Sequence, residues 1–310
     1  MVKKMKIHIY GELSIDHIHE ISDDRNSFRW LIRKSSKTIG GMGGNIAILS
    51  NFFNSEISFF SVFDEDYLKE IDKIKAFGLK YVPIVKGKFT EIYNLFFPKE
   101  PRKVVSIDRG DFLKEFEIQS GEELASDLLI VTPIFWGLAK NIPQKYSHST
   151  LKVLAPALEY SELSETHINT IIEEYDLIFF DQTEAETYFG PNIDKAFECF
   201  CSLKDKCVVI TNGEKEVVAI HDGMIFKEKI YKSDDLKICD TMGCGDAFVT
   251  AFSIYYLKLK GDVQTALKTA HQYAAIIAST NGMCFSFIEN QKPISKKIKQ
   301  HIKNWNEMND

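Results

Sequence analysis

The apolar residues of this chain follow two alternating patterns. Dense short runs at Lys6–Tyr10, Ile57–Phe63, Leu128–Val131, Leu151–Leu154, Leu177–Phe180 and Lys206–Thr211 are too short for helices and read as buried strands. Between them, apolar residues recur three and four apart. Leu68, Ile71 and Ile74 mark a helix over Asp66–Phe77, a second pattern covers Ser161–Glu174, and Phe248, Ala251, Phe252, Tyr255 and Leu259 mark a helix over Asp246–Leu259. Val263–Thr280 and Pro293–Trp305 read as further helices, with Pro293 tolerated in the first turn. Glu216–Ile220 and Met224–Lys229 predict a hairpin around Asp222-Gly223. Strands alternating with helices predict an α/β fold, a central and mostly parallel sheet with helices on both faces.

Two regions break that rhythm. Residues 17–38 lack a single period, and Phe89–Phe97 and Lys103–Ile107 add strands without intervening helices. They predict a small sheet beside the main one. No internal repeat, low-complexity tract or linker divides the chain, so residues 1–310 are expected to form one domain.

Composition narrows the classes of function. Of 310 residues, 45% are apolar, enough for a large core. The net charge of −6 gives no reason to expect nucleic acid or an anionic membrane as partner. The longest apolar runs fall far short of a membrane span. The basic Met1–Lys6 leads into a short strand and Gly11-Glu12, unlike a signal peptide. The six cysteines show no metal-ligand spacing and read as reduced thiols of a cytoplasmic protein.

The chemistry concentrates in Asp240-Thr241-Met242-Gly243-Cys244-Gly245-Asp246, which opens the helix over Asp246–Leu259. Small residues at a helix start let backbone amides converge, and the helix dipole adds positive potential, so the turn is an anion site. Asp246 in the first turn would repel a bound phosphate. It makes chemical sense as the base that takes a proton from a hydroxyl attacking that phosphate. A second cluster, Gly40-Gly41-Met42-Gly43-Gly44-Asn45, precedes another helical pattern and permits very close backbone approach. Asn45 there either bonds a hydroxylated ligand or caps the helix. A dinucleotide fingerprint is disfavoured, because the third glycine is missing and no strand directly precedes the cluster.

Together the two clusters resemble the signatures of the ribokinase-like (phosphofructokinase-B) family of carbohydrate kinases. Gly40–Asn45 is similar to the first signature and Asp240–Asp246 to the second, D-T-x-G-A-G-D. Gly11 and Asp16, Asp181-Gln182-Thr183-Glu184, Thr211-Asn212-Gly213-Glu214 and Asn281-Gly282 extend the likeness over residues 6 to 290. The resemblance implies a ribokinase-like fold with a β lid built from residues 17–38 and 85–107. It implies that Asp246 is the base, that the amides of Gly243, Cys244 and Gly245 hold the transferring phosphoryl group, and that Asp16, Gly41 and Asn45 bind the sugar. Thr211, Gly213, Asp181 and Asn281 would line the ATP site. Glu184 would order Mg2+ through water, and Asp240 would lie in the loop that binds a monovalent cation such as K+ in some members. A lid-to-lid homodimer is a further implication, with Phe28, Trp30 and Ile32 available for it.

The chain also departs from the family pattern. Cys244 replaces Ala, Asp181 replaces Asn, Ala155-Pro156-Ala157 replaces Asp-Pro-Asn, and Met42 stands where ribokinases carry Lys. These argue against a plain ribokinase. The expected function is transfer of the γ-phosphate of ATP to a hydroxyl of a small sugar or sugar derivative. Alternatives are a nucleoside kinase of the same fold, and, from another class, a non-catalytic sugar or nucleotide sensor. Trp136 and His17 are further candidates for contact with a substrate.

Overall fold

The computed structural model describes residues 4–22, 31–96, 103–111, 124–148, 150–157, 165–190, 200–201, 205–213, 215–231, 236, 238, 241–279, 296 and 298–303. Within them, thirteen strands form two sheets. The main sheet contains β1 (Lys6–Tyr10), β4 (Glu56–Phe63), β5 (Lys80–Lys86), β8 (Leu128–Val131), β9 (Leu151–Leu154), β10 (Leu177–Asp181), β11 (Cys207–Thr211), β12 (Glu216–His221) and β13 (Met224–Lys229). Their order is β13-β12-β11-β10-β9-β8-β1-β4-β5. The strands from β5 to β11 run parallel; β12 alone runs against them, and β13 returns to their direction through a hairpin. Its turn residues, Asp222 at φ 50° and Gly223 at φ 71°, both take the left-handed backbone that a two-residue hairpin turn requires.

The dense apolar runs are explained by burial on both faces. All four residues of β8 are buried, as are Leu177–Phe180 and Cys207–Ile210. Helices α1 (Met42–Ser50), α2 (Leu68–Ala76), α3 (Trp136–Asn141), α4 (Glu165–Ile172), α5 (Gln182–Phe189), α6 (Cys244–Lys258) and α7 (Val263–Ala278) cover the sheet. In α2 only Ile71 and Ile74 are buried, as expected of a surface helix. α1 and α6 are different: Gly43–Ser50 and Asp246–Tyr255 are buried all round, since these two helices pack on each other and on the core. Tyr273 of α7 ties the layer together by donating to the Leu49 carbonyl at 3.2 Å.

The second sheet has four strands in the order β3-β2-β6-β7: β2 (Ser14–Ile21), β3 (Ile32–Gly40), β6 (Thr90–Phe96) and β7 (Lys103–Asp108). It starts earlier than residue 17, and residues 85 and 86 belong to β5 of the main sheet. Residues 17–38 show no clear period because β2 carries mixed polar residues on both faces and β3 is largely exposed. Phe28 and Trp30, and most of the expected helix from Pro293, lie outside the described residues. Among the described residues no helix is long and apolar enough to cross a membrane.

Candidate active site

In a parallel sheet, ligands gather outside the carboxyl ends of the strands where the strand order reverses. Here that point lies between β1 and β8, since the chain proceeds from β1 to β4 on one side and only later to β8 on the other. β1 ends at Tyr10, and Gly11 follows. A Cβ on Gly11 would lie 2.1 Å from Thr132 Oγ1 and 2.7 Å from the Gly43 Cα. Gly41, at φ +90°, would place a Cβ 2.7 Å from the Glu12 carbonyl oxygen and 2.8 Å from the Ser14 amide nitrogen. The close approach demanded by the glycine cluster is therefore to the chain's own 11–14 segment. It seats the start of α1 against the end of β1 and carries Asn45 into the crevice.

Asn45 meets the other glycine motif there. Its Nδ2 donates to Asp246 Oδ2 at 2.6 Å, and both residues are buried. Burial pushes the Asp246 carboxyl up to about 7; the Asn45 hydrogen bond opposes this, and the nearby Asp16 charge adds to it. A carboxylate poised near neutrality suits a general base. Asn45 Oδ1 is buried without a hydrogen-bond partner, an acceptor left over at the same place. Gly243 caps α6 in the left-handed conformation at φ 77°, and no side chain caps this end. Cys244 gives its N–H to the Thr241 carbonyl at 3.2 Å, whereas a Cβ on Gly245 would enter open space.

Asp16 follows the first strand by six residues. It lies inside β2, which leaves the main sheet three residues after Gly11. It is 1% exposed and accepts a 2.8 Å hydrogen bond from Ser14 Oγ. Ser14 was not singled out from the sequence; the signal was its position two residues before Asp16, which puts both on one face of a strand. His17 points to the other face, where its ring stacks on Tyr93 at 4.2 Å and its Nε2 lies 3.2 Å from Glu91. Trp136 opens α3, with its ring against Phe135 and His167.

The remaining candidates lie along the same sheet edge. Asp181 and Thr211 are register partners at the carboxyl ends of β10 and β11. Asp181 and Glu184 form a reciprocal cap on α5: Asp181 Oδ1 accepts from the Glu184 N–H, and Glu184 Oε2 accepts from the Asp181 N–H, each at 2.7 Å. Burial pushes the Glu184 carboxyl up to about 7, the Asp181 amide opposes this, and the Asp181 charge adds to it. Gly213, at φ 50°, has open space where a Cβ would stand. Asp240, Glu214, Asn281 and Gly282 lie outside the described residues. Among the described residues no group of three acidic, His or Cys side chains forms a metal cage. Mg2+ does not require one: it keeps much of its water and takes one or two carboxylates plus phosphate oxygens, a donor set that Asp181 and Glu184 fit.

Residues 144–290 match the pfkB family of carbohydrate kinases. A deoxyribokinase of Salmonella typhi is 25% identical over 266 residues, covering 80% of this chain and 84% of the relative. A nucleoside kinase of Burkholderia thailandensis, solved in complex with inosine, superposes with a TM-score of 0.76 at 18% identity, covering 96% of this chain and 98% of that one. A ribokinase of Cryptococcus neoformans var. grubii serotype A, solved in complex with ADP, gives a TM-score of 0.74 at 15% identity, covering 94% and 100%. The fold is ribokinase-like, and the resemblance read from the two glycine motifs holds.

Proposed function

We propose that this chain, a phosphotransferase of the pfkB carbohydrate kinase type with an alcohol group as acceptor, moves the γ-phosphate of ATP to a hydroxyl of a small sugar or sugar derivative. The observation that carries this reading is the buried Asp246, held by Asn45 at the start of a long helix and poised near neutrality. The acceptor hydroxyl gives its proton to Asp246, and its oxygen attacks the γ-phosphorus. The bond from that phosphorus to the β–γ bridging oxygen breaks, and ADP leaves with the electron pair.

Gly243, Cys244 and Gly245 hold the phosphoryl group through backbone amides, with the Cys244 amide exchanging the Thr241 carbonyl for a phosphoryl oxygen. Asp16, Asn45 and the Gly41 turn fix the sugar, and the second sheet acts as the lid. Thr211, Gly213, Asp181 and Asn281 take the nucleotide. Mg2+, when bound, neutralises phosphate charge, and Glu184 and Asp181 would hold its water shell. Involvement of K+ rests on Asp240 and the resemblance alone. Exposed Ile32 and Ile107 on the second sheet, with exposed Leu31 just before β3, support a lid-to-lid homodimer. Cys201, Cys207 and Cys244, which form no disulfide among the described residues, support a cytoplasmic setting.

A coupled ADP-release assay over ribose, deoxyribose, other sugars, sugar phosphates and nucleosides tests the reading. Turnover of a free sugar or sugar phosphate supports it, and turnover of nucleosides alone selects the nucleoside kinase. Binding of ATP and a sugar without turnover selects the sensor.

A further inference from the structure

The second sheet carries a polar group that the proposed reaction does not use. Asn94 of β6 is fully buried, yet its Oδ1 has no hydrogen-bond partner. Its Nδ2 reaches the main-chain oxygens of His17 and Ile92, both at a long 3.4 Å. These contacts hold the amide nitrogen against the strand backbone, and the oxygen takes no part in them. A buried carbonyl without a donor costs stability, so its retention calls for a reason.

Register shows which face of the second sheet Asn94 occupies. β6 runs parallel to β2, with Ser14 beside Thr90, Asp16 beside Ile92 and Ile18 beside Asn94. Residues alternate between faces, so Ser14, Asp16, Thr90, Ile92 and Asn94 share one face. His17, Glu91 and Tyr93 occupy the other, as the stacking of His17 on Tyr93 and its contact with Glu91 bear out. Asn94 is thus on the face that presents Asp16, one pleat repeat, about 7 Å, further from the main sheet. Asp16 is itself buried on that face.

We propose that Asn94 is a specificity-determining residue whose Oδ1 accepts a hydrogen bond from an O–H or N–H of the acceptor substrate, at the end remote from Asp246. This rests on the kinase reading above. It narrows the substrate to one with a hydrogen-bond donor roughly one pleat repeat from the group that Asp16 holds, about 7 Å away. A site built around such an acceptor discriminates strongly against analogues without the donor.

The test uses Asn94→Leu, with Asn94→Ala in reserve should the larger side chain prevent folding. Without ligand, Asn94→Leu should raise Tm, because an orphaned buried carbonyl is removed. For the best acceptor found in the ADP-release panel, kcat/KM should fall roughly ten- to a hundredfold, mostly through KM, while analogues lacking the donor change little. Asn94→Ala should show the same selective loss. A fall in Tm for Asn94→Leu together with an equal loss across all acceptors would make the amide a structural group and overturn the proposal. Should wild type turn over nothing, the thermal shift produced by the same compounds replaces kcat/KM. A selective loss of shift in the variant then sustains Asn94 while the kinase reading fails. An unselective loss, or no shift by any compound in wild type, overturns the Asn94 proposal.

Discussion

Asn45 and Asp246 stand 201 positions apart in the chain and share a 2.6 Å hydrogen bond inside the core. The bond joins the two glycine motifs into one site. Because the amide donates to the ionised carboxylate, it holds the Asp246 pKa below where burial alone would put it. Removing it in Asn45→Ala should raise that pKa. A hydrogen bond to a charged group is worth about 1.5–3 kcal/mol, or roughly one to two pH units. The acid limb of the kcat profile should move up by that much, and an unmoved limb would separate Asn45 from Asp246.

The raised carboxyl also links pH to stability. The folded pKa of Asp246, about 7, lies above its ordinary value of 3.8. Between those values the folded chain holds a proton that the unfolded chain has released, so this group's contribution to stability falls as pH rises through the window and levels off above it. Asp246→Asn cannot ionise. It should be more stable than wild type at pH 8, by on the order of 2–4 kcal/mol, and much closer to it at pH 4. Urea melts at the two pH values check this, and an equal difference at both would contradict it.

Asp16 is predicted to hold a substrate hydroxyl, with Ser14 fixing its carboxylate. Asp16→Ala should raise KM about 10- to 150-fold through loss of a charge-assisted bond of roughly 1.5–3 kcal/mol. The same change removes the like charge that raises Asp246, so the acid limb should move down. Initial rates over substrate concentration and pH test both effects, and an unchanged KM would take Asp16 out of the site.

Ala157 sits at φ 51°, a left-handed backbone that an alanine adopts at a cost. The Tyr188 hydroxyl holds its carbonyl at 2.6 Å. Ala157→Gly should relieve the strain and raise stability by about 1 kcal/mol, read as a higher Tm. A lower Tm would mean that glycine's freedom in the unfolded chain outweighs the relief.

Much of the main sheet was legible because its strands are buried on both faces and written as solid apolar runs: Lys6–Tyr10, Leu128–Val131 and Leu151–Leu154 match β1, β8 and β9 end to end. The second sheet was legible only as a break in rhythm. Its strands carry polar residues on both faces, as Asp16 and His17 show, so no two-residue alternation of apolar and polar marks them. The glycine cluster was legible as a place of very close backbone approach, but what approaches it was not. Gly41 and Gly43 make room for the backbone of Gly11, Glu12 and Ser14, a tertiary contact that local sequence does not display. Glu184 was read through its resemblance, and the reciprocal cap with Asp181 was available from the D-x-x-E spacing alone.

The role of Asp246 as the base is tested by kcat for Asp246→Asn on the identified acceptor, alongside ADP affinity. The variant keeps the size and one acceptor oxygen but cannot take the proton. With Asp246 as the base, kcat should fall roughly 10²–10⁴-fold while ADP binds nearly as in wild type. Turnover within a few-fold of wild type, with ADP affinity intact, would contradict it.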